Sequence, residues 1–310
     1  MSKAKRVLIV ANLHAGTKQV RNKLCDIIDE FCREGYVPTV RTTQCSGDAC
    51  RIVAGKSESY DLVVCAGGDG TLSETVSGMM LSSRRVPVGY IPCGSTNDMA
   101  RTLGLSRNMA KATHTILNGT PVTHDIGKFG NDKFFTYIAS FGAFTRASYD
   151  TPQKIKNAIG HLAYIFEGIR ELGEIKPHHF RVTFNGQTVE DDFIFGSVSN
   201  TMSAAGFFKF PANDVNLSDG QFEVFLVRDP KTPIGYTDLI LRLGRQDFQQ
   251  KNVIFAHTDN IIFESQKKLP WTIDGECSGK LDRVEISNVT DTIEIIQNKH
   301  IAKKIEKAKG

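Results

Sequence analysis

Leu62-Val63-Val64-Cys65-Ala66-Gly67-Gly68-Asp69-Gly70-Thr71-Leu72-Ser73-Glu74-Thr75-Val76 decides the fold. Its first five residues are an unbroken apolar run, the pattern of a strand buried on both faces. Leu72 to Val76 reads as the start of a helix. Between them lie three glycines in four positions, Gly67, Gly68 and Gly70. A glycine-rich turn at a strand-to-helix junction lets backbone N–H groups approach a phosphate, and the helix N-terminus adds a favourable dipole. Asp69 does not suit bare anion binding, because a carboxylate repels phosphate. It suits a site where a divalent cation or a proton lies between the two. The turn therefore points to a nucleotide polyphosphate with Mg²⁺, and to phosphoryl transfer.

The same alternation extends outward. Val7–Ala11, Val37–Arg41 and Val86–Pro92 read as further strands, with helices over 18–34, over Gly47–Ser57 and from Asn97 onward. Gly35 stops the first helix. Strands alternating with helices imply a parallel sheet with helices on both faces, and ligands collect at the carboxyl ends of its strands. The pattern changes near residue 125. Seventeen of the 19 Phe lie after residue 130. Strand-like runs follow at Phe134–Ile138, Phe180–Phe184, Phe193–Val198, Phe222–Val227, Val253–Ala256, Asn260–Glu264 and Val284–Ile296. Asn185-Gly186 suits a hairpin, and Asp219-Gly220 a turn. One helix over Ile155–Leu172 and a second over Ile234–Leu243 interrupt the strands. The expected division is an α/β nucleotide domain over 1–125 and an antiparallel β domain over 126–297, with a return of its last strands to the first domain as the alternative. A basic tail over 298–310 reads as a solvated helix end, with a weak contact to anionic headgroups as the alternative.

The 310 residues suit two domains, and a net charge of +4 fits nucleotide binding without demanding nucleic acid. No apolar leader follows Met1, and no run of about 18 apolar residues occurs. The seven cysteines have no zinc-type spacing. They read as mostly buried small side chains in a reducing compartment, so a cytoplasmic location is expected.

Three further clusters carry polar chemistry. Asn12-Leu13-His14-Ala15-Gly16-Thr17-Lys18 follows the first strand but lacks Walker A spacing. Gly94-Ser95-Thr96-Asn97-Asp98 follows the fourth, where Asn97 or Asp98 also suits a helix cap. Asp274-Gly275-Glu276 lies late in the β-rich half. A phosphoryl acceptor hydroxyl needs a carboxylate to orient it and take its proton, and this pair offers two.

Gly67–Thr71, Gly94–Arg101 and Asp274-Gly275-Glu276, in that order, resemble the soluble diacylglycerol kinase family, which includes sphingosine and ceramide kinases and bacterial lipid kinases. The resemblance covers nearly the whole chain. It implies a Rossmann-like first domain, a β-sandwich second domain and an active site between them. It implies ATP-dependent phosphorylation of a lipid alcohol at the inner membrane surface, with diacylglycerol the first choice. Carried over by motif, Asn12 to Gly16, Thr43, Gly67, Gly68, Asp69, Gly70, Thr71, Leu72, Ser73, Thr96 and Asn97 would meet ATP. Asp69 would reach Mg²⁺ through water. Glu276 or Asp274 would be the base, with Glu276 favoured for the proton and Asp274 for the supporting network. A structural Mg²⁺ would sit at Asn216, Asp219 and Gln221. Two departures stand out. Asn12-Leu13 replaces the family's Asn-Pro, and Ser73-Glu74 stands where relatives often have Asn-Glu. Phe141, Phe144, Phe207, Phe208 and Phe210 are candidates to line an acyl cleft. A sphingoid base, phosphatidylglycerol or NAD as acceptor, and a catalytically silent regulator, are the alternatives. A homodimer is compatible with the sequence.

Overall fold

The computed structural model describes residues 4–16, 19–95, 97–142, 175–200, 203–204, 208–209, 219–245 and 247–299. Four strands form the parallel core of the first half: β1 (Lys5–Ala11), β2 (Tyr36–Thr42), β3 (Leu62–Gly67) and β4 (Val88–Pro92). They lie in the order β4-β3-β1-β2. The helices between them are α1 (Val20–Arg33), α2 (Asp48–Lys56) and α3 (Asp69–Leu81). Two more, α4 (Asp98–Thr102) and α5 (Met109–Asn118), follow β4.

Alternation along each strand explains the apolar runs. Leu8, Val10, Val63, Cys65, Val88 and Tyr90 pack beneath α2 and α3. Val7, Ile9, Ala11, Leu62, Val64 and Ala66 pack beneath α1 and α5. Both faces of the two central strands β3 and β4 are covered, and every residue in them is buried. Gly35 takes φ +78° just past the end of α1, a conformation that favours glycine.

The second half is antiparallel. Its strands are β5 (Thr120–Phe129), β6 (Lys133–Phe135), β7 (Ile138–Gly142), β8 (His178–Phe184) and β9 (Gln187–Ser199). Then come β10 (Ser203–Ala204), β11 (Phe208–Lys209), β12 (Phe222–Arg228), β13 (Val253–Thr258), β14 (Asn260–Ile273) and β15 (Glu276–Gln297). A helix, α6 (Pro233–Gly244), precedes β13. Asn185 and Gly186 both have positive φ and close the β8–β9 hairpin, as their identities predict. Phe129, Phe141, Phe180, Phe263 and Trp271 meet edge to face in one aromatic core. On the opposite sheet face, Leu239, Ile240 and Leu243 of α6 cover Phe195, Phe225 and Val253.

The 22-residue β15 connects the halves. Val284 and Ile286 belong to the aromatic core, whereas Ile293 and Ile295 belong to the core beneath α3. Ile295 pairs in parallel with Val88 of β4. Thirteen of the described strands, parallel and antiparallel, are thus one hydrogen-bonded sheet, with β10 and β11 a separate pair. Among the described residues, no helix is long and apolar enough to cross a membrane.

Several expectations change. The single strand expected over Phe134–Ile138 is split, because the Thr136 and Tyr137 N–H groups bond to a side chain, that of Asp274, instead of a neighbouring strand. Phe141 lines no cleft; it is fully buried in the aromatic core. The side chains of Phe144, Phe207, Phe208 and Phe210, the helix over Ile155–Leu172 and the tail over 300–310 lie outside the described residues. The cysteines are not mostly buried. Cys25, Cys32, Cys45 and Cys277 are exposed. Cys25 and Cys32 fall on the outer face of α1, opposite Val20, Ile27 and Phe31.

Phe141→Ala should therefore cost stability rather than alter acceptor binding. Denaturant unfolding should show a loss of about 3–5 kcal/mol, as for other buried aromatic truncations.

Candidate active site

Three strand ends converge at the carboxyl edge of the parallel sheet. Gly67 closes β3, Gly68 is extended, and the helix already begins at Asp69, three residues before the expected Leu72. The backbones after β3 and β4 touch: a Cβ on Gly94 would sit 2.7 Å from the Gly68 Cα. Gly16, at φ +50°, packs as tightly against the Cys93 carbonyl. These glycines are required by close approach of one chain to another.

Side chains then pin the loops. Asn12 donates from Nδ2 to Thr71 Oγ1 at 3.1 Å and accepts the His14 N–H at Oδ1. Asn97 is buried at φ +52°. It accepts the Gly94 N–H at 2.8 Å and donates to the Gly94 carbonyl at 2.7 Å. It organises the loop, and its amide is occupied by the chain itself. The Asp69 carboxylate accepts the N–H groups of Asp98 (2.9 Å) and Met99 (3.1 Å) at the start of α4. Burial raises its pKa, and those two N–H groups oppose the rise. The awkward Asp in the glycine turn thus has a structural use that needs no cation.

The Asp274-Gly275-Glu276 motif is the β14–β15 hairpin. Asp274 (φ +48°) and Gly275 (φ +85°) are its two-residue loop. Asp-Gly is a strong hairpin signal in any sequence, and it would have located this turn. Asp274 is buried and its carboxylate is crowded with donors. It accepts from the N–H and hydroxyl of Thr136 (2.7 and 2.8 Å), Tyr137 N–H (3.0 Å) and Ile138 N–H (3.1 Å). The Ser73 hydroxyl of α3 faces it. Burial raises the Asp274 pKa, and these donors oppose the rise.

Glu276 differs. It is open to solvent yet stands in the cleft, directly over α3: a Cβ on Gly70 would lie 2.9 Å from Glu276 Oε1. Partial burial in the cleft, then the charges of Glu74 and Asp274, raise its pKa above the ordinary 4.5. A cleft of about 420 Å³ brings Glu276 together with Asn12, Gly16, Thr43, Gly68, Gly70 and Thr71. His14, Ala15, Gln44, Cys45, Ser46, Glu74 and Gly94 complete its wall.

Other expected residues fall elsewhere. Leu72 is fully buried in the core, turned inward by helix periodicity, and Ser73 faces Asp274. Thr96 and Asn216 lie outside the described residues. Asp219 is exposed, and its Oδ1 accepts the Gln221 N–H in a closed turn. The Gly220 N–H bonds to Asp125. Among the described residues, no group of three or more His, Cys, Asp or Glu could hold a metal. Sequence reasoning missed Glu74 as a site residue, although Gly70, Ser73 and Glu74 share one helix face.

A nucleotide-type turn facing a carboxylate from a β hairpin is the layout of a phosphotransferase, and comparison agrees. Residues 6–129 match the diacylglycerol kinase catalytic domain, and residues 138–296 match the YegS C-terminal NAD kinase beta sandwich-like domain. A protein named diacylglycerol kinase from Bacillus subtilis (strain 168) is 30% identical over 304 residues, covering 97% of this chain and 99% of its own. One of the same name from Staphylococcus aureus (strain bovine RF122 / ET3-1) is 30% identical over 310 residues, covering 96% and 97%. A crystal structure from Bacillus anthracis str. Sterne superposes with a TM-score of 0.78 at 24% identity, over 97% of this chain and 98% of the other. That likeness carries the fold alone. The chain is a kinase, and it belongs to the diacylglycerol kinase family.

Gly70→Ala tests the closeness of the two halves. The added methyl meets only the flexible end of Glu276 and lies on a helix, so the thermal midpoint should hold. Turnover should fall by roughly 100-fold, because a displacement near 1 Å is that costly at a reacting group. An unchanged rate would contradict the geometry.

Proposed function

We propose that the protein transfers the γ-phosphoryl group of ATP to the hydroxyl of a membrane lipid, diacylglycerol in the first instance, giving phosphatidic acid and ADP. The observation that carries this reading is Glu276 at Gly70: a carboxylate from the β domain stands over the glycine turn that would hold the phosphates. The named relatives support the acceptor. The chain would meet its lipid at the inner face of the membrane.

In this reading the acceptor hydroxyl sits between Glu276 and the terminal phosphate. Glu276 takes the hydroxyl proton. The alcohol oxygen forms a new bond to phosphorus, the bond between phosphorus and the β,γ-bridging oxygen breaks, and ADP carries that electron pair away. The raised pKa of Glu276 suits a base. Asp274 suits holding the hairpin, since its oxygens are filled by donors from the protein itself. Backbone N–H groups at the start of α3 would cradle phosphate.

Mg²⁺ usually binds one or two carboxylates and completes its shell with phosphate and water. Asp69 fits that demand: it lies in the first turn of α3 and each of its oxygens accepts one backbone N–H in the structure. Asp69 would hold the ion through water. When bound, the ion neutralises charge on the transferred phosphoryl group.

Purified protein with Mg-ATP should phosphorylate diacylglycerol in mixed micelles and leave NAD untouched. Transfer to NAD and to no lipid would replace this reading with that of an NAD kinase. ATP binding without transfer to any acceptor in a lipid panel would favour a regulator.

The pH profile follows from Glu276. A base must be deprotonated, so kcat/KM should fall as pH drops through its raised pKa, with a midpoint above 4.5. Glu276→Gln should remove that limb and about 10²–10⁴ of the rate.

A further inference from the structure

The cleft has two chemically different ends. At one end, Gly68, Gly70 and Gly94 surround the start of α3, whose first backbone N–H groups have no partner within the helix. At the other end lies the loop after β2, Thr43–Ser46, which leads through Gly47 (φ +83°) into α2. That loop also opens a helix, yet the N–H groups of Thr43, Gln44 and Cys45 are already taken. Asp48 accepts those of Gln44 (2.6 Å) and Cys45 (2.9 Å). The Asp48 N–H bonds to the Cys45 carbonyl. Glu74 of α3 accepts the N–H of Gly47 at 2.7 Å and of Ala49 at 3.1 Å, and the Ser46 hydroxyl at 3.3 Å.

Two carboxylates, with the amides of Gln44, Cys45, Gly47, Asp48 and Ala49 already committed, make a poor phosphate site. The loop presents hydroxyl, side-chain amide and carbonyl groups to the cleft, which suit the amino and hydroxyl groups of a nucleoside. Polarity of the nucleotide follows: phosphates at Gly68–Thr71 and Gly94, nucleoside toward β2 at the sheet edge. The order β4-β3-β1-β2 places the two ends one strand apart, on either side of β1.

We propose that Glu74 is a positioning residue for the nucleoside half of the bound nucleotide, clamping the Thr43–Ser46 loop against α3 and acting through that loop. The proposal rests on the nucleotide-binding reading of this cleft. One carboxylate holding three donors, from Ser46, Gly47 and Ala49, fixes where the loop and the start of α2 stand. Freed from Glu74, the α2 N-terminus would need other partners and the loop would lose its place.

Isothermal calorimetry with Mg-ATP and Mg-tripolyphosphate separates this role from others. Glu74→Gln keeps the side-chain shape but removes the charge and one good acceptor. Losing a negative charge in the cleft can only favour a polyanion, so weaker ATP binding must come through the loop. ATP should bind about tenfold more weakly, the scale of one or two lost charge-assisted hydrogen bonds. Tripolyphosphate should bind as well as to the wild type, or better. KM for ATP should rise with the Kd, while KM for the lipid stays. If Glu74→Gln fails to fold, Asp48→Asn loosens the same loop from its exposed side and should show the same selective loss. Equal loss for ATP and tripolyphosphate, or unchanged ATP affinity, would overturn the role of Glu74. A wild type that binds tripolyphosphate but not ATP would overturn the nucleotide reading as well.

Discussion

A single buried carboxylate fixes the β14–β15 hairpin that stands over α3. Asp274 gathers three consecutive backbone N–H groups, from Thr136 to Ile138, with the Thr136 hydroxyl, and Ser73 of α3 faces the same carboxylate. Burying a carboxylate is costly unless its oxygens are satisfied, and here four donors from Thr136, Tyr137 and Ile138 satisfy them. The consequences spread from that point. The strand interrupted at Thr136 becomes β6 and β7. The β14–β15 hairpin is fixed at its tip. Glu276, two residues on, is held over Gly70, where a phosphate-binding turn and a proton acceptor can meet.

The sheet supports that arrangement over a longer range. β15 begins at the cleft with Glu276, crosses the aromatic core, and ends beside β4 beneath α3. The strand that presents the carboxylate is thus built into the core that presents the turn. Its pairing with β5 shifts register between Val289 and Ile293. At that shift Asp125 accepts the Asp291 N–H at 3.0 Å and the Gly220 N–H at 2.7 Å. Two buried aspartates, Asp274 and Asp125, therefore fasten the irregular points of one continuous sheet.

Much of this was legible in sequence. Apolar runs such as Val7–Ala11 and Leu62–Ala66 announce strands buried on both faces, and the glycines mark where chains must pass closely. The order of motifs announced the family. What sequence hid is where side chains are spent. Asp69 reads as a cation ligand in sequence, because a carboxylate beside phosphate needs an explanation; that it also caps α4, 29 residues away, is not legible there. Leu72 and Ser73 looked like ligand contacts because they adjoin the glycines, but helical period turns one into the core and the other toward Asp274. Phe141 was assigned to an acyl cleft from composition, which cannot tell a core aromatic from a lining one. Each error concerns contacts distant along the chain, which local pattern does not encode.

The central claim divides labour between neighbouring carboxylates: Asp274 holds and Glu276 reacts. Thermal or denaturant unfolding of Asp274→Asn beside Glu276→Gln tests it most directly, with phosphoryl transfer measured on the same samples. Asn turns an amide donor toward crowded N–H groups, so Asp274→Asn should lose about 3 kcal/mol or more of stability along with its activity. Glu276→Gln should lose activity at unchanged stability. A fully stable Asp274→Asn that has lost all transfer, beside an active Glu276→Gln, would reverse the roles and contradict the account.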